Sequence, residues 1–224
     1  MNSPRKHALV AGVAYISSFV SIPTLVLYTG VHEPNFIVGP GPDTPVLIGG
    51  VLEMVVALAG LVSAVALYPI LKRQNQGMAL GLVGTRTIEG AVIVVGVACL
   101  LTVVTLRQAG VGPEGLVTGQ ALVGLYDRLF LLSQSTMPAF NALFLAPLLY
   151  WSRLVPRVLP MVGLIAAPLL LAGTAAVMFG VMERGSLLQL VLGIPIALWE
   201  FSLGVYLTVR GFRPEAVDRL LASR

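Results

Sequence analysis

Gly77–Leu106 reads GMALGLVGTRTIEGAVIVVGVACLLTVVTL. At a helical rise of about 1.5 Å per residue this run is long enough to cross the roughly 30 Å hydrocarbon core of a bilayer. Inside it stand Arg86 and Glu89, at i and i+3, a spacing that puts both on one face of a helix. A charge at the centre of a span costs about 2.5–3.5 kcal/mol on insertion scales. The face that carries Arg86 and Glu89 therefore has to look into protein or a wet cavity rather than into lipid.

The rest of the chain agrees with this reading. Of its 224 residues 57% are hydrophobic and 11% charged, against about 25% charged in soluble domains. So little polar side chain cannot clothe a water-soluble globule, and the sequence predicts an all-α polytopic membrane bundle forming one integral membrane domain over residues 1–224. Net charge is +4, but the basic residues sit at the ends of apolar runs and build no face for nucleic acid. Cys99 is the single cysteine and lies within an apolar run, so it forms no intrachain disulfide and no metal cluster. His7 and His32 lie outside the runs, which removes a bis-histidine haem between spans. No lysine lies within a span to carry a retinal-type Schiff base. Nothing in the composition asks for a cofactor.

Six spans are expected, at about 8–29, 46–71, 79–106, 129–151, 161–182 and 187–209. The first follows Arg5-Lys6 in the manner of a secretory signal. Its apolar run is too long for a signal's core and no small-residue cleavage site follows, so it reads as an uncleaved span bent at Pro23. Val31–Pro45 (VHEPNFIVGPGPDTP) is a proline- and glycine-broken loop. The stretch from Leu116 to Trp151 is too long for one span, and Asp127-Arg128 divides it into a short interfacial helix, Leu116–Tyr126, and span four from Leu129. Residues 210–224 form a polar, helical tail. Tyr28, Tyr68, Tyr126, Tyr150 and Trp151 fall near span ends, where aromatic belts form. The GxxxG pairs Gly77/Gly81 and Gly115/Gly119 read as chance repeats in a chain with 24 glycines.

With the N-terminus in the cytoplasm, Arg5, Lys6, Lys72, Arg73, Arg153, Arg157, Arg210, Arg213, Arg219 and Arg224 all fall inside. Arg107 and Arg184 fall outside, with Arg128 at the outer boundary. The positive-inside rule then predicts a multi-pass protein of a bacterial inner membrane, both termini cytoplasmic.

Four spans carry polar groups at depth. From the helical rise, Glu89 and Glu200 each lie about 15 Å, and Arg86 about 10 Å, from the inner face. Asn141 falls at a similar depth, and Glu53 lies about 10 Å into span two from the outer side. Arg86, Glu89, Glu200, Asn141 and Glu53 form one candidate buried polar cluster. Its three carboxyls against one guanidinium would be a formal −2, which a low-dielectric interior does not tolerate without at least one bound proton. The outer face offers His32, Glu33, Asp43 and Asp127, residue types that ligate divalent ions but at no useful spacing, so no metal site is assigned.

Four segments carry a resemblance: Glu33–Gly60 (EPNFIVGPGPDTPVLIGGVLEMVVALAG), Tyr68–Gly96 (YPILKRQNQGMALGLVGTRTIEGAVIVVG), Phe140–Leu171 (FNALFLAPLLYWSRLVPRVLPMVGLIAAPLLL) and Pro195–Pro214 (PIALWEFSLGVYLTVRGFRP). They resemble the bacterial six-span family called domain of unknown function 4386, from about Lys6 to Pro214. At Leu131–Pro138 (LLSQSTMP) the chain departs from the Gly/Pro-rich pattern of that family. The resemblance implies a six-span membrane domain and brings no activity, cofactor or catalytic residue.

Three functions compete. In the first, the cluster is a structural lock within a non-enzymatic bundle, with the lipid bilayer as its only evident partner. In the second, the midplane carboxyls serve transport of protons or a small solute. The third, a membrane enzyme, lacks an activated nucleophile, HExxH, GxSxG or a P-loop lysine. The sequence indicates no oligomeric state.

Overall fold

The computed structural model describes residues 3–222. Arg224, counted above among the basic residues, lies outside the described residues. Among those described there are helices and turns and no strand.

Helix α1 (Ser3–Ser17) tightens into a turn at Ser18–Ser21 and resumes as the single turn α2 (Thr24–Leu27). Pro23 has no N–H for the helical ladder, and the interruption falls there. A folded loop leads to α3 (Thr44–Leu71), which carries Pro45 in its first turn, where the missing N–H has no helical partner in any case. Helix α4 (Gln76–Gln108) starts at Asn75, whose side chain accepts from Met78 N at 3.0 Å, an N-cap that satisfies one orphan donor. Then follow α5 (Leu116–Leu132), α6 (Met137–Ser152), α7 (Val158–Met178), α8 (Leu187–Val209) and α9 (Pro214–Ala222). Six helical segments are long and apolar enough to cross a membrane: Ser3–Leu27, Thr44–Leu71, Gln76–Gln108, Pro113–Ser152, Val158–Met178 and Leu187–Val209.

The fourth of these differs from its expected form. Helix α5 does not stop at Asp127-Arg128 but runs on to Leu132, packed along α4 with Tyr126 and Leu131 buried. The break falls at 133–136. Asp127 does not end the helix because its charge is met by His32 and Arg184, while Arg128 is exposed. The backbone at the break is satisfied locally, as the interior of a membrane protein requires. Ser135 N donates to Phe130 O at 3.1 Å, Met137 N to Ser133 O at 2.8 Å, and Thr174 Oγ1 of α7 to Ser135 O at 2.7 Å.

Contacts run α1–α3–α4–α6–α7–α8 and back to α1, closing a ring, with α5 against the side of α4. The α1–α8 contact depends on small residues, since a Cβ on Gly12 would lie 2.7 Å from the carbonyl oxygen of Gly204. The start of α1 and the segment that follows α8 meet at one end of this ring. The Arg5 guanidinium donates to Leu207 O at 2.8 Å and Thr208 O at 2.7 Å, carbonyls at the C-terminus of α8 where a cation is favoured. Arg213 N donates to Leu154 O at 2.9 Å, and Phe212, Ala216 and Val217 bury themselves in the adjoining core. The tail is therefore an amphipathic helix docked on the bundle. Outward-facing side chains are apolar along the spans: Val51 is 64% exposed, Leu58 61%, Ile88 55%, Ile165 61% and Leu198 59%. A surface of that kind belongs in lipid.

Candidate functional site

In the middle of the ring Arg86 spreads its guanidinium between two helices. Nη1 donates to Glu89 Oε2 at 2.9 Å on its own helix, and Nη2 donates to Glu200 Oε1 on α8 at 2.5 Å. The pairing with Glu89 follows from i,i+3 spacing on a helix face, and the pairing with Glu200 from a common depth. Asn141 Nδ2 of α6 donates to the same Glu89 Oε2 at 2.8 Å. The Tyr15 ring of α1 lies 5.2 Å from the guanidinium carbon, a cation–π arrangement whose energy grows as water is excluded. Helix α3 contributes the space: a Cβ on Gly60 would sit 3.6 Å from Arg86 Cδ. Exposure is 4% for Arg86, 6% for Glu89, 9% for Glu200 and 0% for Asn141, so the group is sealed among the helices. It holds two carboxyls and one guanidinium, hence one carboxyl more than it has cations.

Glu53 is not part of this cluster. It sits on α3 seven positions before Gly60, about 10 Å nearer the opposite end, and has its own company. Tyr126 Oη of α5 donates to Glu53 Oε1 at 2.7 Å and Gln134 Nε2, in the break between α5 and α6, donates to the same oxygen at 3.1 Å. The Tyr28 hydroxyl, from the end of α2, lies over Gly49, one turn before Glu53 on α3, near the same carboxyl but without a hydrogen bond to it. Gly49 makes this possible, because a Cβ there would clash with the edge of the Tyr28 ring, 2.6 Å from Cζ. Glu53 is 0% exposed and its partners are all neutral. Tyr28 and Tyr126 are thus interior side chains, 5% and 4% exposed, packed edge to face at 5.5 Å, and not members of an aromatic belt.

Of the four outer-face candidates, His32 and Asp127 pair with each other, Asp43 is held elsewhere by Arg107, and Glu33 stands apart from both. His32 Nε2 meets Asp127 Oδ1 at 3.0 Å, while its Nδ1 meets Tyr28 O at 2.7 Å. Asp127 is paired with Arg184 as well, so three segments are clipped together: the loop before α3, helix α5 and the α7–α8 turn. The hydrogen bond to Asp127 holds the His32 imidazole above its ordinary value, against the opposing effect of burial. Asp43 instead accepts from Arg107 at 2.8 Å and Gln108 at 3.0 Å, and Arg107 also donates to Gly39 O at 2.6 Å and to Gly41 O. Glu33 is exposed. Among the described residues no three His, Cys, Asp or Glu side chains gather as a metal site. Two cavities flank this loop. One of about 530 Å³ is lined by Leu27, Val31, Phe36, Pro40, Pro42 and Pro45, the other of about 430 Å³ by His32, Gln120, Val123 and Asp127.

Tyr15, Tyr28, Tyr126, Gln134 and Arg184 are the participants that sequence reasoning missed. The three tyrosines lie near span ends or in an apolar run, and Gln134 and Arg184 lie in connecting turns, so no periodicity marks them. One signal was present: a buried carboxylate on α3 without a basic residue at its depth needs hydroxyl or amide donors from neighbouring helices.

Fold and sites together define a polytopic α-helical membrane protein with two buried carboxyl centres. The family described as Domain of unknown function (DUF4386) matches residues 9–211, and the chain belongs to that family. No curated protein and no solved structure matches the chain.

Proposed function

We propose that Arg86, Glu89, Glu200 and Asn141 act as a structural lock that sets the register of the membrane bundle. The observation that carries the reading is the division of one guanidinium between Glu89 on α4 and Glu200 on α8, helices that close opposite parts of the ring. Arginine keeps its proton in proteins, so it cannot escape burial by neutralising, and its position is dictated by where carboxylates are. The near-complete burial of all four side chains favours a lock over a site that a solute enters from water. Hydrogen bonds between membrane helices average only about 0.6 kcal/mol. Breaking a buried ion pair by removing one partner is costlier, about 3–5 kcal/mol. The lock therefore specifies which faces meet more than it adds net stability.

The test is rescue. Arg86→Ala in the full chain is expected to lower yield and Tm, and adding Glu200→Gln, which removes a stranded charge, to restore part of both. A Tm for Arg86→Ala equal to wild type would overturn the lock. Proton-coupled transport is the second reading, favoured by the one carboxyl in excess of cations. There, the double variant recovers stability while any transport activity stays lost.

The bundle's address follows from its charges. Arg5, Lys6, Lys72, Arg73, Arg153, Arg157, Arg210, Arg213 and Arg219 lie at one end of the ring, which supports a bacterial inner-membrane protein with both termini cytoplasmic. Reporter fusions after Arg73 and Arg157 are expected to read cytoplasmic, and those after Asp43, Gly112 and Gly185 external. The reverse pattern would invert the topology.

A further inference from the structure

The carboxyl of Glu53 presents an imbalance that its neighbours define. Its Oε1 takes two hydrogen bonds, from Tyr126 and Gln134, while its Oε2 is buried with no partner. The Tyr28 hydroxyl, against the same carboxyl, is likewise buried with no partner. An anion here would leave half of its charge on an oxygen that nothing solvates, in an interior that does not tolerate it. One proton on Oε2 removes the charge, and the Tyr28 hydroxyl, which neighbours the carboxyl without bonding it in this structure, is the orphan acceptor that a small side-chain shift brings to it. Tyr126 and Gln134 remain matched, because Oε1 is then a carbonyl oxygen and still accepts.

No cation competes for this role. Tyr28 faces Glu53 from the end of α2, Tyr126 from α5 and Gln134 from the break. Helix α4 offers Ile93 and Val97 beside Ala57 of α3, and Cys99 is its ionisable member in the adjoining apolar cluster. The turn Ser18–Ser21, also packed on α3, carries no ionisable side chain. Arg86 lies at the level of Gly60, about 10 Å away along α3. Towards the outer end, the His32 ring stands edge-on to Tyr126 at 6.5 Å, and His32 and Asp127 line the cavity of about 430 Å³. The Tyr126 side chain thus links the carboxyl, to which it donates, with the His32 ring, and His32 and Asp127 are the groups of that cavity able to take up and release protons.

We propose that Glu53 is a proton-binding site, distinct from the Arg86 lock, whose carboxyl holds one exchangeable proton on Oε2 against Tyr28 Oη and trades it with the outer cavity. Release leaves the carboxylate on Glu53 and delivers the proton to water or to His32. Uptake reverses the step.

Infrared difference spectroscopy of the full chain in lipid nanodiscs tests this at neutral pH. The C=O stretch of a protonated carboxyl is expected in the wild type, lost in Glu53→Gln and shifted on transfer to D2O. Tyr28→Phe, which keeps Glu53 but removes the hydroxyl that accepts its proton, should move the same band to higher frequency. This second variant keeps the test open if Glu53→Gln fails to fold. A spectrum unchanged by Glu53→Gln would show that the residue is ionised and overturn the proposal. A band that ignores D2O would overturn exchange, and one unmoved by Tyr28→Phe would overturn the assigned partner. None of these outcomes depends on Arg86, so the lock stands or falls separately.

Discussion

Glu200 and Glu53 are both carboxyls held inside apolar helices, but their neighbours differ in kind. Glu200 faces a guanidinium at 2.5 Å and shares it with Glu89. Glu53 faces two tyrosine hydroxyls and an amide. In the first centre an arginine has to be compensated, so the carboxyls answer a permanent charge. In the second nothing permanent is present, and the cheapest way to bury the carboxyl is to leave its proton on. The same residue type thus serves as counter-ion in one place and as proton holder in another, and the neighbours decide which.

The largest effect should come from breaking the first centre. Arg86→Ala strands two carboxyls and is expected to cost about 3–5 kcal/mol, read as a loss of Tm in detergent or nanodiscs. A loss no larger than that of a lipid-facing control such as Leu58→Ala would erase the distinction between the two centres. Next is Gly49→Ala, which pushes a methyl into the Tyr28 ring. Overpacking of that kind costs about 1–3 kcal/mol, and Tyr28→Phe should not relieve it, because the clash is with ring carbons as well as the hydroxyl. Glu53→Gln should matter less for stability, by less than about 1 kcal/mol, since the amide oxygen still accepts from Tyr126 and Gln134. A cost as large as that of Arg86→Ala would mean that Glu53 is an anion.

The smallest effect is expected at the outer clip. Because the Asp127 hydrogen bond raises the His32 pKa in the folded protein, the clip's contribution is fully present below the ordinary value of 6.5 and is lost as pH rises through the raised folded value. Wild type should exceed His32→Ala in Tm at acidic pH and converge with it in alkali. The opposite trend would place the His32 contribution in its neutral form. His32 is partly exposed, so the difference is modest.

Much of this architecture is legible in residues, and the gaps have physical causes. Runs of apolar side chains between Lys72-Arg73, Arg153 and Arg210 mark the helices because hydrocarbon admits little else. Depth follows from the rise per residue, which is how Arg86, Glu89, Asn141 and Glu200 can be placed at one level. Depth also separates Glu53, which shares a face of α3 with Gly60 but lies two turns, about 10 Å, away from it and so meets Tyr126 instead of Arg86. Which side chains complete each centre depends on rotation about the helix axes, which depth does not give. Asp127-Arg128 looked like a helix end because a charge pair ordinarily seeks the interface, whereas Asp127 is satisfied where it stands by His32 and Arg184. The true break, at 133–136, carries only serine, glutamine and threonine, whose side chains bond backbone carbonyls over short range. Gly115 and Gly119, read as a chance repeat, do make a contact, but with Ile37 of the loop rather than with another helix.

The central claim is that Arg86 on α4 and Glu200 on α8 hold each other across the ring. A double-mutant cycle on Arg86→Ala and Glu200→Gln, with stability measured in nanodiscs, isolates that pair. The account predicts a coupling free energy above about 1.7 kcal/mol, the largest found for ordinary hydrogen bonds between membrane helices. Additive single-variant effects, with coupling near zero, would contradict it.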